Sequence, residues 1–435
     1  MQINKNLKKV YVSSTNSNIV ELESHRLISK RKSIGQLFKF LGPAFVVSVA
    51  YVDPGNFATN ISSGSIFNYN LIWVILWSNL MAIFLQTMSA KLGIATDANL
   101  SEVCSRVFSK KINWLLWVVA ELAAIATTIA EFLGGTLGFY LLFGIPLIYA
   151  GLLTGVVTFF IIYMQKYGQR IVEIIITVFV AIICICYTTE IFLAKPDWVQ
   201  VGYHTLVPSI PNSEAVLIAV GMLGATVMPH VIYLHSQLVQ SRNKGMTLAD
   251  KISHLRMERI DITLAMNIAF IVNASMVIVS ATVFFSKGIT VDSIEQAHQS
   301  LSPLLGSLSS SIFAIALLAS GFSSSAVGAM AGETVMDGFI NIKIPTNIKR
   351  IITMAPAMII IGVGINPMKA LVISQVFLSF ALPFAIIPMM IITSKKDIMG
   401  IFVNKLLTKV IGWIITIVII SLNIFLLFLT FSGKV

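Results

Sequence analysis

Charge is what this sequence has least of. Asp, Glu, Lys and Arg make up 11% of its 435 residues, where soluble domains average about 25%. With 56% hydrophobic residues and a mean hydropathy of +0.87, the chain has too little polar surface to meet water on all sides. That excludes an ordinary soluble domain and points to a polytopic membrane protein. Cysteine is scarce as well, with only Cys104, Cys184 and Cys186. Cys184 and Cys186 lie two apart in an apolar run, so they point to different faces of a helix, which speaks against a disulfide or a Cys-based metal site. No apolar signal peptide opens the chain; residues 1–36 are polar and read as a disordered cytoplasmic N-terminal tail. A P-loop, an HExxH motif and a hydrolase triad are all missing, so no enzyme is expected.

What is present is a succession of apolar runs of spanning length. Helices are expected at 37–67, 71–94, 112–143, 146–165, 170–194, 213–240, 256–286, 303–338, 347–364, 367–393 and 407–432. These eleven each approach or exceed the ~20 residues needed to cross a bilayer. The net charge of +11 raises the question of nucleic acid, and the placement of the basic residues answers it. With the N-terminus inside, twenty-six of the 30 Lys and Arg fall on the cytoplasmic side, and only Lys195, Lys287, Lys369 and Lys434 fall outside. That asymmetry is the positive-inside rule at work. The basic charge reports orientation in a membrane, and no nucleic-acid partner is expected.

Two of the helices are interrupted. The first carries Asp53-Pro54-Gly55-Asn56, and the sixth carries Gly224-Ala225-Thr226-Val227-Met228-Pro229-His230. Proline removes a donor and clashes with the preceding turn, and glycine tolerates unusual dihedrals. Broken backbone at membrane depth survives only where protein buries it or it lines a cavity. One such break could be a plain kink. Two, each in the first helix of a five-helix half and in halves of opposite orientation, mark an inverted-repeat transporter with its site between the breaks.

The donors at the breaks suggest a cation. Asp53 offers an anionic oxygen and Asn56 a neutral one. Unwound backbone frees carbonyls, those of Ala50 and Ala225 being in position, and Met228 adds a thioether. Oxygen alone suits calcium and magnesium; a soft sulfur shifts the preference toward transition metals. His230 adjoins this set and reads either as a proton carrier or as a buried core histidine. His235, five residues on, points about 140° away on a helix, so the two make a poor chelating pair. Glu121 and Glu131 lie in the apolar third helix, within about 80° of each other around its axis. Intramembrane carboxylates are proton-relay candidates, or they pair with a basic residue such as Arg350.

The strings GPAFVVSVAYVDPGN (42–56), GATVMPHVIYLHSQLVQSR (224–242) and SQVFLSFALPFAIIPM (374–389) resemble the natural resistance-associated macrophage protein (Nramp) family of metal-ion transporters. The likeness extends from about residue 37 to 432. It implies an all-α, LeuT-like fold: an inverted repeat of 5+5 transmembrane helices (37–194 and 213–393) plus an eleventh helix (407–432), with helices 1 and 6 broken. It implies proton-coupled uptake of Mn2+ or Fe2+, with Mn2+ usual for bacterial members. By resemblance the metal ligands are Asp53, Asn56, Met228 and the Ala225 carbonyl, joined by Ala50 in some states and approached by Gln375. Glu131, His230 and Arg350 match positions tied to proton movement, and His235 and Glu121 match supporting polar positions. The chain departs from the pattern at Thr128, where the family has an acid on the proton route, at Val231, and at Phe322 of Ser320-Gly321-Phe322.

The resulting expectation is a secondary importer of divalent transition metals in the plasma membrane, moving Mn2+ (also Fe2+, Cd2+ and Co2+) and protons by alternating access. It needs no cofactor, enzymatic activity or obligate protein partner. An uncoupled or weakly coupled uniporter is the variant that Thr128 suggests. A sodium-coupled symporter of an organic solute fits poorly with Asp53 and Met228, and a metal sensor lacks any evident signalling domain.

Overall fold

Proline at the first helical position, polar N-caps and long apolar stretches divide the chain into helices. In the computed structural model, residues 42–164, 169–243, 245–340 and 346–434 are described, and no β-strand occurs among them. The polar tail at 1–36 lies outside the described residues. The first predicted helix forms in pieces: α1 (Pro43–Ser48), a 3-10 turn (Val49–Val52) and α2 (Pro54–Phe67). Then come α3 (Ile72–Thr96), α4 (Leu100–Val107), α5 (Lys110–Phe143), α6 (Leu147–Met164), α7 (Gln169–Ala194) and α8 (Trp198–Leu206). The sixth predicted helix splits into α9 (Ser213–Thr226) and α10 (Pro229–Gln240). The chain continues through α11 (Leu248–Val283), α12 (Ile294–Leu305), α13 (Ser307–Ile340), α14 (Thr346–Val363), α15 (Pro367–Thr393), α16 (Lys396–Met399) and α17 (Leu406–Phe431).

Eight helical stretches among the described residues are long and apolar enough to cross a membrane, and the shorter apolar helices Pro43–Val52, Leu147–Ile161 and Ile352–Val363 match the other three predicted spans. Two boundaries differ from expectation. The α11 helix begins at Leu248 rather than near 256, because Thr247 and Asp250 form a capping box that starts a polar first turn. The run predicted from 303 is divided at Gly306, whose φ of 106° ends α12 before α13 begins. The short helices α4, α8 and α16 lie outside the predicted spans, as does all of α12 but its last turn.

Burial orders the bundle from centre to rim. The broken stretch Ser213–Gln240 is 94% buried across its most apolar window, whereas Leu406–Phe431 is 28% buried. The sixth span is therefore at the centre and the eleventh at the rim. Around that centre α2 packs on α11, α9 on α15, α10 on α3, and α5 on α13. Large apolar side chains such as Phe192, Leu406 and Phe431 stand exposed on the outer faces, where lipid is their natural solvent.

Candidate metal site

Both breaks are built alike. At the first, Asp53 adopts an extended conformation (φ −82°, ψ 169°) as N-cap of α2, with Pro54 at the start of that helix. At the second, Met228 is extended (φ −85°, ψ 126°) as N-cap of α10, with Pro229 at its start. Proline there lacks only an N–H that the helix start leaves unused, and its φ is already helical. Each break thus puts one side chain at a helix N-terminus deep in the bundle. Asp53, Asn56, Ala225, Met228 and His230 are all fully buried, and Ala50 in the 3-10 turn nearly so.

Unwinding leaves carbonyls to be satisfied, and neighbouring helices do this. Asn273 Nδ2 of α11 donates to the Tyr51 carbonyl at 2.6 Å, and Ser320 Oγ of α13 donates to the Val52 carbonyl at 2.6 Å. Asp53 Oδ1 accepts from the Asn56 backbone N–H at 2.8 Å. Its Oδ2 is buried with no hydrogen-bond partner among the described residues. A carboxylate oxygen so placed is costly unless something positive reaches it.

The two breaks meet at Asn56. One end of its amide stands 2.6 Å from Asp53 Oδ1 and 3.2 Å from the Ala225 carbonyl. The α15 helix closes over both breaks through two glycines. A Cβ at Gly55 would overlap the Gln375 side-chain amide, and one at Gly224 would overlap the Gln375 carbonyl. Gln375 is buried, and its Oε1 has no partner among the described residues. Carboxylate, amide and carbonyl oxygens meet here, and Met228 stands buried at the second break; oxygens joined by a thioether would suit a borderline divalent cation. No group of three or more His, Cys, Asp and Glu suited to a metal occurs among the described residues.

The remaining predicted positions separate into two groups. His230 Nδ1 lies 3.3 Å from Thr127 Oγ1 on α5, and its Nε2 has no partner among the described residues. Glu131 is buried one turn along α5, its carboxylate pressed against Gly328 of α13. One turn further, the Pro54 ring fills the space beside Gly134, so the first break rests directly on the Glu131 helix. His235 stands apart, with Nδ1 2.8 Å from Gln86 Oε1 and Nε2 2.9 Å from Glu258 Oε1. Gln86 in turn donates to the Tyr51 hydroxyl. Glu121 is half-buried on α5, ten residues before Glu131. The side chain of Arg350 lies outside the described residues. Thr128 Oγ1 donates to the Ala124 carbonyl at 2.9 Å within its own helix.

A cavity of 320 Å³ lies beyond α10, lined by Asn99, Glu102, Gln237, Glu333, Thr334 and Asp337 among others. On another side, Phe57 packs edge-on to Tyr187 with ring centroids 5.5 Å apart and tilts against Phe313 at 6.1 Å. Sequence reasoning missed Asn273, Asn60 and Glu258. Asn273 is a polar residue in an apolar stretch, which is a readable signal, whereas Glu258 lies among Arg256, Arg259 and Asp261 and Asn60 among Thr59, Ser62 and Ser63; the partners of all three follow only from the packing.

A family model described as "Natural resistance-associated macrophage protein-like" matches residues 44–429. A "Divalent metal cation transporter MntH" of Clostridium acetobutylicum is 66% identical over 430 residues, covering 98% of this chain and 100% of the relative. A crystal structure of the Eremococcus coleocola manganese transporter, in complex with an aromatic bis-isothiourea substituted compound, superposes with a TM-score of 0.81 at 32% identity. The match covers 89% of this chain and 85% of that one. Mhp1, a nucleobase-cation-symport-1 family transporter, is similar at a TM-score of 0.57 and 14% identity over 80% of this chain and 77% of its own. That likeness shows the fold alone, the LeuT-like inverted repeat expected from the two broken helices.

Proposed function

The chain belongs to the natural resistance-associated macrophage protein-like family, and from that premise we propose that it imports divalent transition-metal ions, Mn2+ foremost, across the plasma membrane with its N-terminus inside. Asp53, Asn56, Met228 and the Ala225 carbonyl hold the ion, Ala50 contributes its carbonyl in some states, and Gln375 closes over it. The observation that carries this reading is the convergence of Asp53 Oδ1, the Asn56 amide and the Ala225 carbonyl between two helix breaks, with Met228 at the second break.

Transport proceeds by alternating access. The cavity beyond α10, with Glu102, Glu333 and Asp337 in its wall, supplies a polar way out for a cation. The Phe57–Tyr187–Phe313 cluster supports closure of the opposite side. Protons move with the metal by way of His230 and Glu131, on the two helices that flank the first break. Arg350 carries the proton onward, and Glu121 and His235 support the polar route. Thr128 favours a second reading, a weakly coupled uniporter, because its hydroxyl is engaged with its own helix and does not titrate near neutral pH.

The test is uptake into proteoliposomes. Met228→Ala should weaken Mn2+ uptake at least ~10-fold, ~1.4 kcal/mol, and reduce discrimination against Ca2+, because only the soft donor is lost. Unchanged Mn2+ uptake and unchanged Ca2+ exclusion would remove Met228 from the site.

A further inference from the structure

Asn273, buried on α11, has an amide that cannot turn. Its Nδ2 donates to the Tyr51 carbonyl at 2.6 Å and the Ala269 carbonyl at 3.1 Å, and its Oδ1 accepts from Asn60 Nδ2 at 2.8 Å. Reversal would set oxygen against two carbonyls and nitrogen against a donor. The fixed Oδ1 stands 3.2 Å from the outer amide atom of Asn56. The inner amide atom of Asn56 faces Asp53 Oδ1 and the Ala225 carbonyl. Both ends of the Asn56 amide therefore face oxygen, and the amide has one nitrogen to offer.

A cation decides between the two orientations. Without one, nitrogen turned inward donates to Asp53 and Ala225 and leaves an oxygen–oxygen contact at Asn273. With a cation among the inner oxygens, the Asn56 oxygen turns inward and its nitrogen meets Asn273 Oδ1. We infer that Asn273 is a positioning residue. It receives the Asn56 amide nitrogen when metal binds, penalises the inward-nitrogen orientation that competes with metal, and so makes Asn56 a ligand. The inference rests on the site reading above, since it requires Asn56 to present its oxygen to the ion.

A double-mutant cycle on Mn2+ affinity tests it, by titration calorimetry on the full chain in detergent. Asn273→Ala should weaken Mn2+ binding by ~10-fold, as loss of an outer partner of a ligand typically does. In an Asn56→Asp background both amide positions are oxygen, orientation no longer matters, and the same substitution should cost less than ~2-fold. An Asn56→Ala background, with nothing to turn, should behave likewise. Equal losses in all backgrounds would reduce Asn273 to a structural brace and overturn the proposal. If Asn56→Ala alone leaves Mn2+ binding intact, the site reading fails and this proposal with it. Asn273→Ser keeps a donor for the Ala269 carbonyl but falls short of Asn56, and it takes the place of Asn273→Ala in the cycle if that variant does not fold.

Discussion

At Asp53, Asn56 and Met228 the chemistry is legible from residue type alone. A carboxylate, an amide and a thioether beside Pro and Gly in apolar helices have few other uses. His235 is different. Its type suggests a titrating group, while its surroundings show both ring nitrogens engaged, with Gln86 and Glu258. Distance along the chain hid this, because Gln86 lies 149 residues from His235. Leaving buried polar groups without their hydrogen-bond partner is expensive. His235→Ala should cost about 1–3 kcal/mol of stability for each polar group it leaves unpartnered, read as a lower melting temperature and yield, while the Mn2+ Kd of the folded fraction stays near that of the parent chain. A lost Mn2+ affinity with unchanged melting would place His235 at the metal instead. Cys104 offers a second residue-scale prediction. It is fully buried on α4, outside the spans, and burial pushes its thiol well above the ordinary cysteine range. The thiolate is the reactive form, so raising pH from 7 to 8.5 should leave Cys104 unlabelled by maleimide until the protein is denatured. Mass spectrometry after a short pulse reads this directly, and labelling of the native chain at pH 7 would contradict it.

At the scale of elements, the breaks follow from Asp53-Pro54-Gly55 and Met228-Pro229, because an extended residue before proline both ends one helix and caps the next. How closely a neighbouring helix faces the breaks is not readable there, because Ser374, Gln375 and Ser379 are spread among the apolar residues of α15 and fix no distance. Its approach shows instead in what the glycines permit. At Gly224 a Cβ would overlap the Gln375 carbonyl, and backbone cannot swing aside as a side chain can. Gly224→Ala should therefore push α9 from α15, costing about 1–3 kcal/mol and most of the transport. Gly221→Ala, one turn earlier, would set its Cβ 3.2 Å from Thr59 Cγ2 and 3.5 Å from Val376 Cγ2, neighbours that yield by a few tenths of an ångström. It should keep both melting temperature and uptake. Comparable damage from the two would mean that α9 and α15 do not approach each other as described. The misplaced starts of α11 and α13 have a local origin. A hydropathy window sees the apolar part of α11 and passes over the polar turn that Thr247 and Asp250 cap, and it runs straight across Gly306.

At the scale of the whole molecule, the proposed inside location of the N-terminus would orient the site in an electric field. An inside-negative potential favours cation entry by about 2.3 kcal/mol per charge per 100 mV, so a divalent ion gains about 4.6. That force alone can drive uptake, and proton coupling must be demonstrated on top of it. Thr128 is bonded back into its own helix, while Thr127 turns to His230 and Glu131 lies against Gly328 beneath the first break. The proposed coupling would therefore run through Glu131 and His230, without the acid that the family resemblance leads one to expect at Thr128. In proteoliposomes holding a pH dye, Mn2+ entry at neutral pH should acidify the lumen. Glu131→Gln should abolish that acidification and leave Mn2+ entry, driven by an imposed potential of about 100 mV, largely intact. A lumen that stays neutral while the parent chain admits Mn2+ would make the protein a uniporter. Acidification that survives Glu131→Gln would take the proton off Glu131. The proposed ligands belong to the two breaks, so these outcomes bear on the coupling and leave the ligand assignment to the Met228→Ala test.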